Sequence, residues 1–282
     1  MTFSRGLIVL GALSLMFNCA CERIGLSVSE PTSTPTATAT STPSPAPTLT
    51  PVPPTATATP TVTATPAPSP TPCLGSALAV YRGNPNKMMI ALTFDVESTP
   101  GFIQQILDTL SGRSVRATFA VTGSFAQANP GLVRAIAGAG HQVMNHSQDH
   151  SSFTGRSTKR PPLTTEQRIW ELQTAGKAIQ DVAGVDPSPY FRPPYGDLDN
   201  SVLCDLTAAG YAYAIMWNAD TKGYRQTTVD EIVQTALAQA KPGGIVVMHV
   251  ASNSADAAAL PRIIDALRAN GHSFGTVDEV IH

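Results

Sequence analysis

The stretch NHSQDH, residues 145–150, places His146 and His150 four positions apart among polar neighbours. On a helical turn this spacing aligns both imidazoles on one face, where they could bind a single metal ion. A polar loop with two histidines at chance spacing would look the same. Because catalytic zinc sites usually take three protein ligands and leave a position for water, the pair indicates a metal only if a third ligand exists.

Two carboxylates in TFDVES, Asp95 and Glu97, could supply that ligand. Along an extended chain, residues two apart point to the same side, so both acids could face one site while Val96 turns into the core. In hydrolytic sites one acid often binds the metal and the other takes a proton from water. The alternative is that Glu97 belongs only to the loop leading into the next helix.

The segment YFRPPYG holds Arg192 and Tyr195 in a turn stiffened by two prolines, with Gly196 permitting an unusual backbone conformation. Arg192 could pair with Asp95 and keep it ionised and oriented. The backbone N–H of Tyr195 could point at a developing oxyanion. By itself, RPPYG could equally be an ordinary rigid loop.

Two further segments, WNADTKGY and GGIVVMHV, supply Asp220 and His249. A histidine that closes a buried strand is more often structural than catalytic. With a carboxylate such as Asp220 on its other nitrogen, however, His249 could be held as imidazolium and donate a proton to a leaving amine. We interpret His141, His272 and His282, which have no such neighbours, as structural or solvated.

All these residues follow apolar segments that alternate with amphipathic helical patterns. Helices are predicted from Thr99 to Gly112, from Thr164 to Gly184, and over LPRIIDALRANG. This alternation predicts parallel strands joined by crossover helices, an α/β fold. In a β/α barrel the carboxyl ends of the strands converge on one rim, so the polar motifs should meet there. Strands are predicted at 88–94, 117–123, 141–145, 211–218 and 244–249.

The composition of the chain changes twice before this domain begins. Residues 1–28 contain a short apolar run and predict an export leader of the lipoprotein type, with Cys21 favoured over Cys19 for lipidation. Ordinary secretion or an uncleaved membrane anchor is the alternative. Residues 29–72 are almost all Thr, Pro, Ala and Ser and predict a disordered stalk. One globular domain is expected over residues 73–282.

The formal net charge of −2 and the lack of a basic stripe argue against nucleic acid as a partner. We expect a monomer that touches a membrane only through an N-terminal lipid anchor. The domain contains Cys73 and Cys204, which in an exported protein could pair or could both be free.

Over residues 85–282 the chain resembles the NodB-homology polysaccharide deacetylases, carbohydrate esterase family 4. Five segments resemble the family's motifs, in the family's order: LTFDVE, GHQVMNHSQDH, FRPPYGDLD, WNADTKGY and GGIVVMHV. The resemblance implies a catalytic domain over 73–282, folded as a distorted (β/α) barrel and preceded by the disordered Thr/Pro-rich stalk. It also implies a divalent metal, often zinc, and hydrolysis of N-acetyl groups on amino sugars of chitin-like or peptidoglycan chains.

On the metal side, the matching positions make Asp95 the general base and His146 and His150 metal ligands. The family usually has a second, metal-binding aspartate where this chain has Val96, which cannot bind a metal. Some relatives carry an acid one step later, as Glu97 is here, and some of those work without metal on other C–N bonds. We predict that Glu97 completes a zinc site with the two histidines.

On the opposite side, the resemblance makes Arg192 the residue that orients the base and Tyr195 the oxyanion donor. His249 would be the general acid, tuned by Asp220. Motif four departs from the family because it ends in Gly-Tyr where Asp-Trp is usual. The function predicted is release of acetate from an N-acetylated polysaccharide. The alternatives are an O-acetyl esterase, a metal-independent amide hydrolase, or a carbohydrate-binding relative without turnover.

Overall fold

The computed structural model describes residues 76–225 and 227–282. The predicted leader over 1–28, the stalk over 29–72 and Cys73 lie outside these ranges. Cys204 is disulfide-bonded. No helix within the described ranges has the length and apolar character needed to span a membrane.

Strands and helices alternate along the described chain, as the sequence predicts. The strands are β1 (Leu78–Val80), β2 (Met89–Val96), β3 (Thr118–Val121), β4 (Gln142–Asn145), β5 (Tyr190–Phe191), β6 (Tyr213–Ile215), β7 (Ala219–Asp220), β8 (Gly244–His249) and β9 (Ser273–Gly275). The helices are α1 (Ile103–Gly112), α2 (Gly123–Ala128), α3 (Pro130–Gly138), α4 (Thr165–Ala183), α5 (Asn200–Ala208), α6 (Val229–Gln239), α7 (Asp256–Ala269) and α8 (Val277–Ile281). Two 3₁₀ turns cover Pro194–Gly196 and Gly223–Arg225.

The strands form one curled, entirely parallel sheet. Its order is β1-β6-β5-β4-β3-β2-β8-β7, and β9 pairs with β2. Within the described ranges no ladder joins β7 to β1, so the sheet is a half-barrel. The predicted α/β class and distorted (β/α) barrel are therefore confirmed.

The predicted strand at 211–218 is wrong in one respect, because the chain leaves the sheet after Ile215 and re-enters it at Ala219. Strand β6 lies near one edge of the sheet and β7 lies at the other. The link between them is held on both sides: Met216 N–H donates to Val80 O at 2.9 Å, and Asn218 N–H donates to Ile245 O at 3.2 Å. A single covalent segment thus spans the gap between the two edges.

Alternation along β2 decides which residues face the site. Ile90, Leu92, Phe94 and Val96 are fully buried in the main hydrophobic core, which is lined by α1 and α7. The intervening residues point to the opposite face, so Asp95 lies on the inner side of the sheet. The predicted inward turn of Val96 is confirmed.

The helix predicted to start at Thr99 begins instead at Ile103. Residues before it form a turn that contacts the residue just after β8: Phe102 N–H donates to Val250 O at 2.8 Å, and Gly101 has a φ of 45°. A Cβ on Gly101 would lie 1.9 Å from the same carbonyl oxygen, so only glycine fits there. The predicted capping box of α4, formed by Thr164 and Gln167, is present.

Candidate active site

The predicted chemical residues come together at the carboxyl ends of the strands. A cavity of about 480 Å³ opens there, and its lining includes Asp95, Glu97, His150, Tyr195, Asp220 and His249. His146 and Arg192 lie within the same cluster but are 1% and 0% exposed. The sheet is parallel throughout, so all these strand ends share one edge.

Asp95 is buried and is held by Arg192. The Nη1 group of Arg192 donates to Asp95 Oδ1 at 2.7 Å, and Asp95 Oδ2 lies 3.9 Å from His146 Nε2. Burial alone would raise the pKa of Asp95, but the charge of Arg192, with smaller contributions from His146 and His249, lowers it below its ordinary value. Asp95 is therefore an ionised carboxylate near neutral pH.

Arg192 is held in place because every nitrogen of its guanidinium donates a hydrogen bond. Nη1 also donates to Thr93 Oγ1 at 2.7 Å, Nε donates to Ile215 O at 3.2 Å, and Nη2 donates to Met216 O at 3.4 Å. The guanidinium also lies over the Trp217 ring, 5.7 Å from its centroid. A fully buried cation with this many partners cannot follow a moving carboxylate, so it holds Asp95 in one orientation.

His146 presents a free nitrogen to the cavity side. Its Nδ1 lies 2.8 Å from the carbonyl oxygen of Arg192, so Nδ1 carries the proton and Nε2 is left with a lone pair. Burial is the main cause that lowers the pKa of His146, only partly offset by Asp95. Nε2 is buried and has no hydrogen-bond partner in the described chain. A neutral imidazole in this state is suited to binding a metal.

Glu97 and His150 complete a group of three ligand atoms with His146, all within 4.8 Å of one another. His150 Nε2 lies 3.4 Å from Glu97 Oε1, and the two imidazole centroids are 4.9 Å apart. Burial lowers the pKa of His150 to about 3, so this ring is also neutral. Burial and the nearby charge of Asp95 raise the pKa of Glu97. Two neutral imidazoles and one carboxylate are a ligand set that fits a divalent metal such as zinc.

The two histidines reach each other through a loop and not through a helical turn. Residues 146–150 belong to no helix, and Ser147 and His150 have φ values of 68° and 63°. The i, i+4 spacing therefore brings the rings together for a different physical reason than the one the sequence indicated. We call residues 146–150 the histidine loop.

Tyr195 lies where motif three turns away from the sheet. It sits in the 3₁₀ turn Pro194–Gly196 with a φ of 60°, and its side chain is half exposed beside His150, with ring centroids 4.6 Å apart. Burial, followed by the charge of Glu97, raises the pKa of the Tyr195 phenol. The turn thus places the ring of Tyr195 in contact with His150 and in the lining of the cavity.

His249 is paired with a carboxylate other than the one the sequence indicated. Its Nδ1 lies 3.8 Å from Asp256 Oδ2, which also accepts the backbone N–H of His249 at 2.8 Å. Asp220 lines the cavity but accepts from Lys222 N–H at 2.8 Å, and no ion pair or hydrogen bond joins it to His249 in the described chain. The structure therefore places Asp256, and not Asp220, against Nδ1 of His249, and the role of Asp220 in tuning His249 stays a prediction.

The environment of His249 favours its protonated form. Burial alone would lower its pKa, but Asp256, followed by Asp95 and Glu97, raises the pKa above its ordinary value. Asp95 and His249 are register partners on adjacent strands β2 and β8. A carboxylate whose pKa is lowered therefore stands beside an imidazole whose pKa is raised, a division that suits proton-transfer chemistry.

The Gly-Tyr ending of motif four has a structural reason. A Cβ on Gly223 would lie 2.5 Å from Cγ and Oδ2 of Asp256 and 2.5 Å from Ser254 Oγ, so any larger residue would displace Asp256. Tyr224 is 40% exposed and packs its ring against His249, with centroids 4.8 Å apart. The sequence does not single out Asp256, because it is the first residue of helix α7. An acidic residue is common at that position simply because it interacts favourably with the helix dipole.

Comparisons with known proteins assign the chain to a family. A sequence profile of the family described as polysaccharide deacetylase matches residues 82–214. Peptidoglycan-N-acetylglucosamine deacetylase PgdA of Listeria monocytogenes is 35% identical over 191 residues, 68% of this chain and 38% of that protein. The chitooligosaccharide deacetylase of Sinorhizobium fredii is 31% identical over 204 residues, 68% of this chain and 91% of that protein. The structure of wild-type BA3943 from Bacillus anthracis, described as a CE4 family pseudoenzyme, matches with a TM-score of 0.67 and 28% identity, covering 73% of this chain and 70% of that one.

The chain belongs to the polysaccharide deacetylase family, carbohydrate esterase family 4, as its five motifs predict. It spans little more than a third of the length of the Listeria relative, 38%. The family includes both active deacetylases and a protein described as a pseudoenzyme. Family membership therefore establishes the fold but not the reaction, which depends on this chain's own residues.

Proposed function

We propose that this protein is a metal-dependent deacetylase that removes N-acetyl groups from amino sugars of a polysaccharide and releases acetate. One observation carries the proposal. The ligand atoms of Glu97, His146 and His150 converge within 4.8 Å, while the neighbouring Asp95 is held by Arg192 outside that group. A three-ligand site beside an unligated carboxylate is an arrangement suited to hydrolysis of an amide by metal-activated water.

Zinc is the metal that best fits this set of ligands. Two imidazoles and one carboxylate form a common catalytic zinc set, with a fourth position left open. When bound there, zinc supplies Lewis-acid polarisation of the acetyl carbonyl and of the attacking water. The lone pair of His146 Nε2, buried and without a hydrogen-bond partner in the described chain, supports a bound cation at this point.

The chain's own residues move the protons. Asp95 takes a proton from the water whose oxygen adds to the acetyl carbon, and Arg192 keeps Asp95 ionised and oriented for that transfer. The backbone N–H of Tyr195 donates to the carbonyl oxygen as it becomes an oxyanion. His249 then gives its proton to the sugar nitrogen as the C–N bond breaks, so that acetate and a free amine leave.

Asp256 holds His249 ready for the last step. Its carboxylate stabilises the imidazolium and fixes the backbone of His249 by accepting its N–H at 2.8 Å. The Nδ1 atom faces Asp256, which leaves Nε2 for the cavity that His249 lines. Asp220, at the end of β7, is proposed to act on substrate or solvent in the cavity and not on His249.

The proposed substrate is a glycan that carries N-acetylated amino sugars, such as peptidoglycan or a chitin-like chain. The names of the two deacetylase relatives support these two classes. We also propose that the catalytic domain, residues 73–282, is exported by the leader over 1–28 and displayed at the cell surface by the stalk over 29–72. Lipidation at Cys21 would anchor it to the membrane.

The proposal is tested by measuring acetate release from peptidoglycan and from chitooligosaccharides after chelation, with and without added zinc. Acetate release that is lost on chelation and restored by zinc would support it. Activity that survives complete metal removal would overturn the metal requirement and favour a metal-independent amide hydrolase. Acetate release from O-acetylated xylan alone would favour an O-acetyl esterase.

A carbohydrate-binding role without turnover is the second candidate, because a structural neighbour is described as a pseudoenzyme. A pure binder needs neither an ionised base nor a protonated acid, yet the surroundings of Asp95 lower its pKa and those of His249 raise its pKa, which favours both states. The two functions separate in one experiment. Glycan binding without acetate release from any of the substrates, with zinc bound, would establish the second.

A further inference from the structure

We propose that Glu171, on helix α4, is a positioning residue for the metal site, acting through the histidine loop; this rests on the proposed function. Glu171 is 4% exposed and touches none of the reacting atoms. Its Oε2 accepts the backbone N–H groups of Gln148 and Asp149 at 2.8 and 3.2 Å. These are two of the three residues that separate the histidine ligands.

The backbone conformation of the histidine loop is intrinsically unfavourable. Ser147 and His150 both have left-handed φ values, a conformation that costs about 1 kcal/mol or more for each residue that is not glycine. Such a conformation persists only when the surroundings fix it. The acceptors of the loop's N–H groups, together with the N–H groups of Gly123 and Ser124 that donate to Ser147 O and Gln148 O at 3.0 and 2.8 Å, therefore hold the two imidazoles at 4.9 Å.

Every N–H group of the loop is hydrogen-bonded, and Glu171 takes two of the five. The pairs are His146 to Val121 O at 3.0 Å, Ser147 to Asn145 Oδ1 at 2.8 Å, Gln148 and Asp149 to Glu171 Oε2, and His150 to Ser147 Oγ at 3.0 Å. Two of the acceptors come from the loop or the strand residue just before it, and Val121 belongs to the adjacent strand. Glu171 is the single acceptor contributed by a helix, so it couples the loop to α4.

Helix α4 is firmly placed, which makes it a suitable anchor. Its Arg168 Nε lies 3.0 Å from Asp205 Oδ2 on α5, in an ion pair that is about nine-tenths buried. The residue after Glu171, Leu172, accepts Asn145 Nδ2 at 2.8 Å through its carbonyl oxygen. Two consecutive residues of α4 thus fix the end of β4 and the loop that follows it.

Loss of Glu171 should move His150 more than His146. His146 has two further contacts, its N–H on Val121 O and its Nδ1 on Arg192 O, whereas His150 is tied to Ser147 within the loop. The ligand set would then lose its geometry on one side. Zinc affinity should fall by about 10- to 100-fold, the range seen when groups that orient metal ligands are removed.

The experiment measures the zinc dissociation constant of the full chain by competition with a chromophoric chelator. Glu171→Met keeps the length and helix propensity of the side chain but removes the acceptor, and should weaken zinc binding by at least about tenfold. Glu171→Gln keeps an acceptor oxygen and should restore most of the affinity. In acetate-release assays, excess zinc should recover much of the activity of Glu171→Met.

The control variant is Asp205→Asn, which breaks the buried ion pair between Arg168 on α4 and Asp205 on α5. It should destabilise the domain without changing any contact of the histidine loop. It should lower the melting temperature but leave zinc affinity within about twofold of wild type. Equal loss of affinity in Asp205→Asn and Glu171→Met would reduce Glu171 to a folding residue and overturn the inference.

The remaining outcomes separate this inference from the proposed function. Wild-type protein that binds no zinc would overturn both. Wild-type protein that binds zinc tightly, with Glu171→Met binding equally well, would overturn the role of Glu171 alone. If Glu171→Met does not fold, Glu171→Asp, whose carboxylate is one methylene shorter, decides by the same measurement, with unchanged affinity counting against the inference.

Discussion

The two halves of the site are built differently. We call Asp95, Arg192 and the histidine loop the base half; in it, Arg192 is fully buried and donates to Asp95 at 2.7 Å. We call His249, Asp256 and residues 219–225 the acid half; in it, His249 Nδ1 and Asp256 Oδ2 are 3.8 Å apart, too far for a hydrogen bond. The base half is therefore fixed by geometry, whereas the acid half depends on charge across a looser contact.

The histidines of the two halves respond to burial in opposite ways. Burial lowers the pKa of His141, His146 and His150, which lie at the two ends of strand β4 or just after it. In the acid half, Asp256, Asp95 and Glu97 overcome the same effect and raise the pKa of His249. Burial thus favours neutral imidazoles in the histidine loop, whereas nearby carboxylates favour the charged form of His249.

The largest effect should come from removing the base. Asp95→Asn keeps the shape of the side chain but cannot accept the proton of the attacking water, so kcat should fall by about a thousandfold or more. Zinc affinity should change little, because Asp95 is not among the three grouped ligands. Acetate release and zinc stoichiometry, measured on the same sample, test both statements.

The exposed Asp108→Asn variant on helix α1 is the matched control and should keep full activity. Circular dichroism is needed alongside, because Asp95→Asn leaves the buried Arg192 without its charged partner. A folded, zinc-loaded Asp95→Asn protein with more than a tenth of wild-type activity would show that another group is the base.

A smaller effect is expected in the acid half. Asp256→Asn should lower kcat by about 10- to 100-fold, because the amide still accepts the backbone N–H of His249 but no longer stabilises the imidazolium. Loss of this charge lowers the pKa of His249, so the decline in kcat on the alkaline side should move to lower pH. A kcat profile between pH 6 and 9 measures both changes.

Asp220→Asn is the matched comparison, since it removes the carboxylate that sequence alone would have paired with His249. In Asp220→Asn, kcat should decline on the alkaline side at the same pH as in the wild type. A shift of that decline in Asp220→Asn, with none in Asp256→Asn, would return the partner role to Asp220.

A still smaller effect is expected from disturbing the packing of Gly223 against Asp256. In Gly223→Ala the new Cβ would meet the carboxylate at 2.5 Å and push Asp256 away from His249. We expect kcat to fall by about tenfold and stability by about 1 to 3 kcal/mol, the usual cost of overpacking. Gly112→Ala at the end of α1, where nothing lies within 4 Å of the added Cβ, is the control. Wild-type kcat in Gly223→Ala would show that the acid half tolerates displacement of Asp256.

The same contrast explains what sequence could and could not predict. The base half was predictable because strand alternation alone turns Asp95 inward and Val96 into the core, and because parallel strand ends share an edge. Its residues follow strands that are strongly apolar and therefore easy to place. The left-handed φ values of Ser147 and His150 were not predictable, since the loop is hydrogen-bonded to residues distant along the chain, among them Glu171 on α4.

The acid half was predicted less well for a related reason. Asp220 and His249 both follow predicted strands, but the carboxylate that contacts His249 comes from the start of α7. Nothing in the local pattern around Asp256 distinguishes it from an ordinary first-turn acid. Only the close approach of Gly223 to Asp256, a tertiary contact, shows why motif four ends in a glycine here.

The smallest prediction concerns stability at the other end of β4. His141 is buried, its Nδ1 accepts the N–H of Ala117 at 3.2 Å, and its ring packs on Phe119 with centroids 5.3 Å apart. Burial, with the charge of Arg116, lowers its pKa to about 4. Between pH 6.5 and 4 the unfolded chain binds a proton that the folded protein excludes, so stability should fall as pH is lowered through this window.

His141→Asn keeps an acceptor for Ala117 but removes this titration. The free energy of unfolding of metal-free wild type should therefore drop by about 1 to 2 kcal/mol more than that of His141→Asn between pH 7 and pH 4.5, less than the full shift because the ring is not wholly shielded. Denaturant titrations at each pH measure the difference, with the exposed His282→Asn as control for losing one imidazole. Parallel pH dependence in wild type and His141→Asn would mean that His141 is protonated in the folded protein, and that β4 does not keep its histidines neutral by burial.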